Sequence, residues 1–203
     1  MYNFFKYIYI LCLGIVLWIN NKLKLYFNFI LPNLNFFISK RITCNRLPSS
    51  NQKTLLTGIG RVFIGDNCTF GYKPGGFYRG GAIELQARYK NATIKIGKHV
   101  ATNNNIFICA ANSIEIGDNT RIGHYVTMMD FEAHATKPID RSKVGEIGEI
   151  FIGTNVWIGN NVTILKNSRI GNNTIVATGA VVTGSFPENV VIAGVPAKII
   201  KEI

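Results

Sequence analysis

The sequence has few charged residues and few cysteines. Only 16% of its 203 residues are charged, whereas 47% are hydrophobic, an apolar balance for a soluble protein. The four cysteines, Cys12, Cys44, Cys68 and Cys109, form no CxxC pair. Neither a disulfide framework nor a cysteine metal site is therefore predicted, and buried free thiols in a reducing compartment fit better. The length is enough for one large domain with an appendage.

Acidic residues are absent from residues 1–50. This stretch carries six bases: Lys6, Lys22, Lys24, Lys40, Arg41 and Arg46. The rest of the chain holds sixteen bases and eleven acids, so much of the net charge of +11 lies at one end. A basic protein can bind nucleic acid, but no nucleic-acid motif occurs here and apolar residues separate these bases. A surface of anionic lipid explains that combination better.

The apolar runs near the N-terminus are short. Tyr7–Ile19 is uncharged, but a spanning helix needs about 20 apolar residues. A second apolar segment, Leu23–Leu31, ends at Pro32. We predict two helices that form a membrane-associated hairpin or an interfacial anchor. Two alternatives stay open: the helices pack against the rest of the protein or a neighbouring subunit, or one helix spans the membrane.

A period of six residues marks the C-terminal part of the chain. A helix repeats every 3.6 residues and a strand every 2, so a stride of six indicates a short strand and a turn, repeated as in a solenoid. Aliphatic residues occupy one position of this repeat: Ile152, Ile158, Ile164, Ile170, Val176 and Val182. A smaller second layer follows four residues later: Val156, Val162, Ser168, Thr174 and Ala180.

The same phrase recurs upstream. Ile-Gly pairs begin at Ile64, Ile96, Ile116 and Ile122. The segment 47–51, rich in Pro, Ser and Asn, precedes them and reads as a linker. We therefore divide the chain into an apolar, basic helical segment, 1–50, and a repeat domain, 51–203, whose first strand begins near Leu55 or Leu56.

These motifs resemble those of the hexapeptide-repeat acyltransferases over roughly residues 55–203. The more specific matches are Val156-Trp157-Ile158-Gly159, Val181-Val182-Thr183 and the segment 193–198. The branch most similar is that of the sugar O-acetyltransferases, which includes maltose and galactoside acetyltransferases and polysaccharide-modifying enzymes. The resemblance implies an all-β fold, a left-handed parallel β-helix preceded here by the N-terminal apolar helical segment. It also implies a homotrimer, acetyl-CoA as the donor and no metal.

Two segments leave the repeat. The first, Tyr72–Gly81, is rich in glycine but lacks the Lys-Ser/Thr ending of a phosphate-binding loop, so we interpret it as a flexible loop beside a neighbouring subunit or the acceptor. The second, residues 129–149, carries the one histidine outside the repeat frame, His134. Loops that project from a rigid scaffold concentrate function.

His134 falls where the sugar acetyltransferases carry their catalytic histidine, which implies a general base. A sugar hydroxyl is almost fully protonated near neutral pH, and neutral imidazole can take its proton during attack on a thioester. His99 and His124 lie at corner positions of the repeat, where we expect solvent-facing turn residues.

The resemblance implies further site residues. Asn103 corresponds to an asparagine that holds the acceptor sugar, Asn105 lies beside it, and Asp130 is expected to bind acceptor hydroxyls or orient His134. For Asn105, a polar corner is an equal alternative. Residues that match donor-contacting positions are Trp157, Asn160, Thr178, Gly179, Thr183, Lys198 and Lys201. Gly184 departs from the family, which commonly has Lys or Arg there.

The sequence thus predicts an O-acetyltransferase acting on a sugar of a polysaccharide or glycolipid precursor, at the cytoplasmic face of the membrane. The alternatives are a non-catalytic trimeric scaffold and another enzyme of this fold. A γ-type carbonic anhydrase needs three zinc histidines in a spacing that His99, His124 and His134 lack. A serine acetyltransferase has a long polar helical N-terminal domain that does not occur here.

Overall fold

The computed structural model describes the backbone of residues 2–203 and the side chains of residues 13–203. The side chains of Lys6 and Cys12 lie outside this range. The chain begins with a helical run: α1 (Tyr2–Leu25), a π-helical turn (Tyr26–Ile30), a 3₁₀ turn (Leu31–Asn33) and α2 (Leu34–Ile38). Strands follow, interrupted by one 3₁₀ turn at Pro138–Asp140.

Most strands are short, with two to five residues each. In chain order they are β1 (Ile42–Cys44), β2 (Ser49–Ser50), β3 (Thr54–Gly58), β4 (Arg61–Ile64), β5 (Thr69–Phe70), β6 (Ile83–Ala87), β7 (Thr93–Ile96), β8 (Ala101–Thr102), β9 (Phe107–Ala110), β10 (Ser113–Ile116), β11 (Arg121–Ile122), β12 (Thr127–Met129), β13 (Glu149–Ile152), β14 (Trp157–Ile158), β15 (Thr163–Ile164), β16 (Ser168–Ile170), β17 (Ile175–Val176), β18 (Val181–Val182), β19 (Ser185–Phe186), β20 (Val190–Gly194) and the six-residue β21 (Ala197–Glu202).

The strands form three parallel sheets that the chain visits in rotation. Sheet 1 has the order β1-β4-β7-β10-β13-β16-β19, sheet 2 the order β2-β5-β8-β11-β14-β17-β20-β21, and sheet 3 the order β18-β15-β12-β9-β6-β3. Every third strand therefore lies on the same sheet, and one circuit of three strands is a coil of a three-sided parallel β-helix. Among the strands of the described residues, β21 alone runs antiparallel to its neighbour, β20.

The stride of six is one third of a coil. Ile152 pairs with Ile170 on sheet 1, Ile158 with Val176 on sheet 2, and Ile164 with Val182 on sheet 3. All six aliphatic residues are at most 1% exposed, and so are the five smaller residues of the second layer. The two inward layers predicted from the periodicity are confirmed. Burial of these stacked apolar side chains is the main stabilising term of the repeat.

Asparagine fills most corners because the backbone there is left-handed. Between sheets 1 and 2 the same corner position has φ near +60° in successive coils, and Asn occupies it at all but His99: Asn67, His99, Asn119, Asn155, Asn173 and Asn189. Asn adopts this conformation more readily than other residues that carry a Cβ. The Asn155, Asn173 and Asn189 side chains also form a hydrogen-bonded ladder at 3.0 and 2.9 Å.

The glycine of each Ile-Gly pair lets the next coil approach. A Cβ on Gly117 would lie 2.5 Å from the carbonyl carbon of Gly153, one coil away. Any larger side chain would push the coils apart and break the parallel pairing of their strands.

The N-terminal segment differs from the predicted hairpin. Helix α1 runs through Asn20–Lys22 without reversal, and the helical run continues past Pro32 to Ile38. Pro32 lies in the first turn of a 3₁₀ helix, where its missing N–H leaves no hydrogen bond unmade. The proline therefore fits within the helical run and does not end it.

The β-helix also begins earlier than the predicted start near Leu55. Strand β1 pairs in parallel with β4, from Ile42 opposite Val62, and β2 pairs with β5. The predicted linker 47–51 therefore contributes a strand to the first coil. The sequences of these two strands lack the Ile-Gly motif, so the six-residue periodicity could not predict them.

The end of the helical run caps the β-helix, as one of the alternatives expected. Phe29 and Phe36 are fully buried in the main core. Asn33 is also fully buried, and its amide accepts from the Leu56 N–H at 2.6 Å and donates to the Thr54 carbonyl at 2.8 Å. It thereby satisfies backbone groups of β3, the edge strand of sheet 3.

Candidate active site

The excursion that carries His134 is an irregular hairpin between β12 and β13. Phe131 and Ile147 form an antiparallel bridge at its base. The Glu132 N–H donates to the Glu146 carbonyl, and the Glu132 carbonyl accepts from the Gly145 N–H, both at 2.9 Å. The Ala135 N–H donates to the Lys143 carbonyl, also at 2.9 Å. These bonds hold the two arms together and place the tip at residues 136–142.

The imidazole of His134 is exposed on the first arm and is bonded across the hairpin. Its Nδ1 lies 2.7 Å from the carbonyl oxygen of Arg141. Because a carbonyl can only accept, Nδ1 carries the proton and donates it. In the neutral ring Nε2 then bears a free lone pair. This tautomer leaves Nε2 ready to take a proton.

Lys166 ties both arms of the hairpin to the β-helix. It lies in the turn between β15 and β16, and its Nζ contacts Glu132 at 3.5 Å and Glu146 at 2.5 Å. The lysine holds the pKa of Glu146 below the usual carboxyl range, and the glutamate raises the pKa of Lys166. Both groups are charged at neutral pH, so the ion pair restrains the position of the hairpin.

Asp130 fixes the base of the hairpin. Its side chain is fully buried, and its two oxygens accept the N–H groups of Ala111 at 2.6 Å and Asn112 at 2.9 Å. Its own carbonyl accepts the N–H of Gly148 at 2.7 Å. Burial raises the pKa of Asp130, and the N–H donors oppose that rise. Because both oxygens face the turn, the structure places Asp130 in a structural position and not in the predicted one beside the acceptor or the His134 ring.

Several predicted residues meet in a groove on sheet 2. Asn103, Trp157 and Asn160 line it together with Tyr72 and Arg121. Trp157 is 58% exposed and lies opposite Arg121 in the strand register, so its ring projects outwards as predicted. The Asn103 Oδ1 accepts the N–H of Asn104 at 2.9 Å. The Asn160 Oδ1 accepts the N–H of His124 at 3.0 Å.

Asn105 lies in a second groove, on the other side of the same corner. Its N–H donates to Gln52 Oε1 at 2.8 Å, and its side-chain oxygen accepts from Gln52 Nε2 at 3.0 Å. Residues 72–81 cover this corner. The loop that we expected to be flexible is held at its start and its middle, because Asn104 Nδ2 donates to the Tyr72 carbonyl at 3.0 Å and the Gly76 carbonyl at 2.9 Å, and Gln52 Nε2 approaches the Phe77 carbonyl at 3.3 Å.

The remaining predicted donor residues follow the last coils. Thr178 and Gly179 form the corner between β17 and β18, Thr183 follows β18, and both lysines lie on β21. These five residues are exposed: Thr178, Gly179, Thr183, Lys198 and Lys201. His134 does not line the groove of Asn103 and Trp157. The single chain thus presents two separate sets of predicted site residues.

Comparison with known proteins places the fold in a family. The description "Bacterial transferase hexapeptide (six repeats)" matches residues 149–184. The galactoside O-acetyltransferase of Escherichia coli K12 is 39% identical over 114 residues, which are 55% of this chain and 55% of that protein. The match therefore spans about half the length of that relative.

A second relative covers more of both chains. WbbJ of Escherichia coli K12, named for O-acetyl transfer in lipopolysaccharide biosynthesis, is 36% identical over 152 residues, 70% of this chain and 72% of WbbJ. The chain belongs to the hexapeptide-repeat acetyltransferase family, in its sugar O-acetyltransferase branch. The family predicted from the motifs is confirmed.

Two solved structures of acyl-transferring enzymes share this fold. A galactoside acetyltransferase in complex with coenzyme A aligns with a TM-score of 0.52 and 24% identity, over 91% of this chain and 80% of that one. AntD, an N-acyltransferase from Bacillus cereus bound to dTDP and 3-hydroxybutyryl-CoA, aligns with a TM-score of 0.62 and 16% identity, over 83% and 87%.

The backbone conformation explains why position 184 carries glycine. Its φ is +93°, a value that side chains with a Cβ rarely adopt. The Gly184 carbonyl also accepts the Arg169 N–H at 3.0 Å. A lysine or arginine at this position would need a different backbone, so the family's basic side chain is replaced here by a turn.

Sequence reasoning missed Gln52, Asn104, Arg141 and Lys166. The side chains of Gln52 and Asn104 donate to backbone carbonyls of the glycine-rich loop. The Arg141 carbonyl accepts from the His134 ring, and Lys166 forms ion pairs with Glu132 and Glu146 of the hairpin. Only the run of three asparagines at 103–105 gave a signal in the sequence, since consecutive amides at a corner indicate backbone hydrogen bonding. Among the described residues no group of three or more His, Cys, Asp or Glu is arranged to hold a metal ion.

Proposed function

We propose that this protein is an acetyl-CoA-dependent O-acetyltransferase that acetylates a sugar hydroxyl in a polysaccharide or glycolipid precursor, with His134 as general base. The observation that carries the proposal is the His134 ring, exposed on a restrained hairpin with Nδ1 committed to the Arg141 carbonyl. Membership of the sugar O-acetyltransferase branch supports the same chemistry.

In the proposed reaction, Nε2 of His134 removes the proton of the sugar hydroxyl as its oxygen attacks the thioester carbonyl carbon. The Arg141 carbonyl stabilises the resulting imidazolium through the Nδ1–H bond. The tetrahedral oxyanion requires N–H donors, which we assign to the backbone of the β-helix wall. Collapse breaks the C–S bond, and the imidazolium returns its proton to the CoA thiolate. No covalent enzyme intermediate is required.

We assign the donor to the sheet 2 groove and the exposed residues that continue from it. Trp157 forms an apolar wall for the pantetheine arm, and Asn160, Thr178, Gly179 and Thr183 border its path. We assign the nucleotide phosphates to Lys198 and Lys201, which lie exposed on β21. Gly184 supplies no charge, so these lysines carry more of the phosphate binding than in relatives with a base at that position.

The separation of His134 from the donor groove within one chain supports a trimer. We propose that three left-handed β-helices associate about a threefold axis, so that His134 of one subunit faces the donor groove of the next. Asn103 then holds the acceptor near the base. Light scattering of the purified full chain checks the subunit number, and a monomer at working concentration contradicts this assembly.

We also propose that the N-terminal helix holds the enzyme at the cytoplasmic face of the membrane. Apolar side chains of α1 from Leu13 to Ile19 are largely exposed, including Trp18 at 62%, and Lys22 and Lys24 follow in its last turn. No helix among the described residues is long and apolar enough to cross a bilayer. An interfacial helix fits these features.

The test is acetyl transfer by the purified full chain. Acetyl-CoA is incubated with methyl galactoside, other methyl glycosides and de-lipidated surface polysaccharide, while free thiol release and new O-acetyl signals in NMR spectra are measured. We expect thiol release that depends on a sugar acceptor. Thiol release with no acceptor dependence, or none at all, contradicts the proposed function and favours a non-catalytic scaffold.

A further inference from the structure

The corner between sheets 2 and 3 carries an aromatic pair that the proposed chemistry does not use. Four successive coils place the same corner position in left-handed backbone: Asn105, Tyr125, Asn161 and Gly179, with φ of 59°, 54°, 55° and 77°. Three of them are Asn or Gly, the residues that adopt this conformation at least cost. Tyr125 is the exception, although its ring contributes nothing to the buried core.

The partner of Tyr125 is strained in the same way. Phe77, in the glycine-rich loop, has a φ of 63°. Its ring meets that of Tyr125 edge to face, with centroids 4.8 Å apart, and lies 5.4 Å from the His124 ring. Both rings remain exposed, Phe77 at 55% and Tyr125 at 43%. Strained backbone that persists at exposed residues is typical of binding sites.

The loop holds Phe77 in position through buried amides. Gln52 is 3% exposed and Asn104 is fully buried, and their side chains bond to loop carbonyls at Phe77, Tyr72 and Gly76. The ring is therefore pre-organised above coils 3 and 4, counted from β1. Pre-organised rings bind with a smaller loss of conformational entropy than rings on a mobile loop.

The chemistry of the adjoining groove indicates a neutral, hydroxyl-rich ligand. Phe77 and Tyr125 line it together with Asn105, Thr127 and Glu84. Among the residues whose side chains the structure describes, no lysine or arginine lines it, so an anion would find no counter-charge there. Aromatic faces pack against the C–H groups of a sugar ring, while amide, hydroxyl and carboxylate groups bond its hydroxyls.

We infer that Phe77 and Tyr125 form a subsite for a second, neutral sugar residue of the acceptor glycan. The subsite lies on the other side of the same corner from Asn103, which our proposed function places at the acetylated sugar, so the inference rests on that function. An acceptor of two or more sugars then spans both grooves across the corner. The subsite makes the enzyme selective for a glycan chain over a single sugar.

The test compares two acceptor probes, methyl galactoside and a neutral galactose-containing tetrasaccharide, by the ratio of their kcat/KM values. We expect the wild type to favour the tetrasaccharide. The variant Tyr125→Asn introduces the residue that neighbouring coils use, and Phe77→Gly suits the local φ, so both are expected to fold. Each is expected to lower the ratio by about three- to tenfold, the range for loss of one aromatic contact.

His99→Asn is the matched control, since it also replaces a ring by Asn at a left-handed corner, and it is expected to leave the ratio unchanged. An equal ratio in wild type and Tyr125→Asn overturns the subsite while leaving the proposed function intact. A changed subunit number in Tyr125→Asn also overturns it, because the rings would then be a subunit contact. No turnover of either probe contradicts the proposed function together with the subsite.

Discussion

At the scale of single residues, the exposed position of His134 determines the expected effect of its loss. His134→Ala removes the group that takes the hydroxyl proton, so we expect kcat to fall by about 10²–10⁴-fold. The ring makes no core contact, so thermal stability should stay within about 0.5 kcal/mol of wild type. Acetyl transfer to the identified acceptor and thermal unfolding measure the two effects.

The control for His134 is His99→Asn, which changes a histidine at a corner far along the chain from the hairpin. It should retain full activity, because five equivalent corners already carry Asn. Full activity of His134→Ala with the same acceptor would show that another group acts as the base.

The buried side-chain amide of Asn33 is expected to contribute measurably to the stability of the fold. Asn33→Ala leaves the Leu56 N–H and the Thr54 carbonyl without partners, and each such buried group costs about 1–3 kcal/mol. We expect the free energy of unfolding to fall by roughly 2–6 kcal/mol in urea titrations. Asn35→Ala, at an exposed position of the adjacent helix α2, should change it little. Equal stability of the two variants would mean that the helical run does not cap the β-helix in solution.

At the scale of elements, the hairpin that carries His134 depends on the Lys166 ion pairs. Lys166→Met removes the contacts to Glu132 and Glu146, and we expect kcat to fall by about two- to tenfold because the base is less well positioned. The KM for acetyl-CoA should not change, and Lys166→Arg should restore kcat. Lys95→Met breaks an exposed ion pair with Glu115 on sheet 1 and should leave kcat unaltered. Equal kcat in both Met variants would exclude a positioning role.

The pH dependence of this restraint follows from the signs of the two shifts. The pKa of Glu146 is lowered and that of Lys166 is raised. The Glu146 contribution is present above its unfolded pKa of about 4.3 and is lost as pH falls through the lower folded value. The Lys166 contribution is present below about 10.4 and is lost as pH rises through the higher folded value. Across neutral pH both charges are present and the restraint is constant, so a change of activity within that range would not arise from this ion pair.

Elements with a local sequence signal could be predicted, and those held by distant contacts could not. The inward stack from Ile152 to Val182 and the corner asparagines follow from a period of six, because each position repeats the same backbone environment. Strands β1 and β2 carry no such phrase and form only because β4 and β5 lie beside them. The break in the helical run expected at Pro32 did not occur, since a 3₁₀ turn accommodates the proline.

The features of the candidate site also divide into those that the sequence could predict and those that it could not. An interruption of the repeat located the hairpin of His134, and motif spacing located Trp157 in an outward-facing groove. The tautomer of His134 depends on the Arg141 carbonyl, and a backbone acceptor has no signature in the sequence. Asp130 has the residue type of an acceptor ligand, but its buried position became visible only when its bonds to Ala111 and Asn112 were known. The roles of the predicted donor and acceptor residues stay predictions.

At the scale of the whole molecule, the N-terminal run has two parts with different surroundings. Its end, from Leu25 to Ile38, packs on the first coil with Phe29 and Phe36 buried in the core, so we expect it to stabilise the fold. Helix α1 exposes apolar side chains on several faces, including Leu17 at 53% and Trp18 at 62%. Truncation before Ser49 would therefore remove the cap as well as any anchor, and substitutions on α1 of the full chain separate the two.

Membrane attachment through α1 predicts flotation of the full chain with vesicles that contain anionic lipid. Each lysine near such a surface contributes about 1 kcal/mol, so Lys22→Glu with Lys24→Glu should weaken binding by about tenfold or more, and so should high salt. Leu17→Gln with Trp18→Gln should reduce binding further by removing buried apolar area.

The matched control is the double variant Ile59→Gln with Ile200→Gln, which changes apolar residues elsewhere that are 61% and 63% exposed. It should bind vesicles like the wild type. If all variants float equally, or the wild type does not float, α1 is not an anchor. Its apolar surface would then be a contact with another subunit, and selection of a membrane-linked acceptor would have to come from the glycan grooves alone.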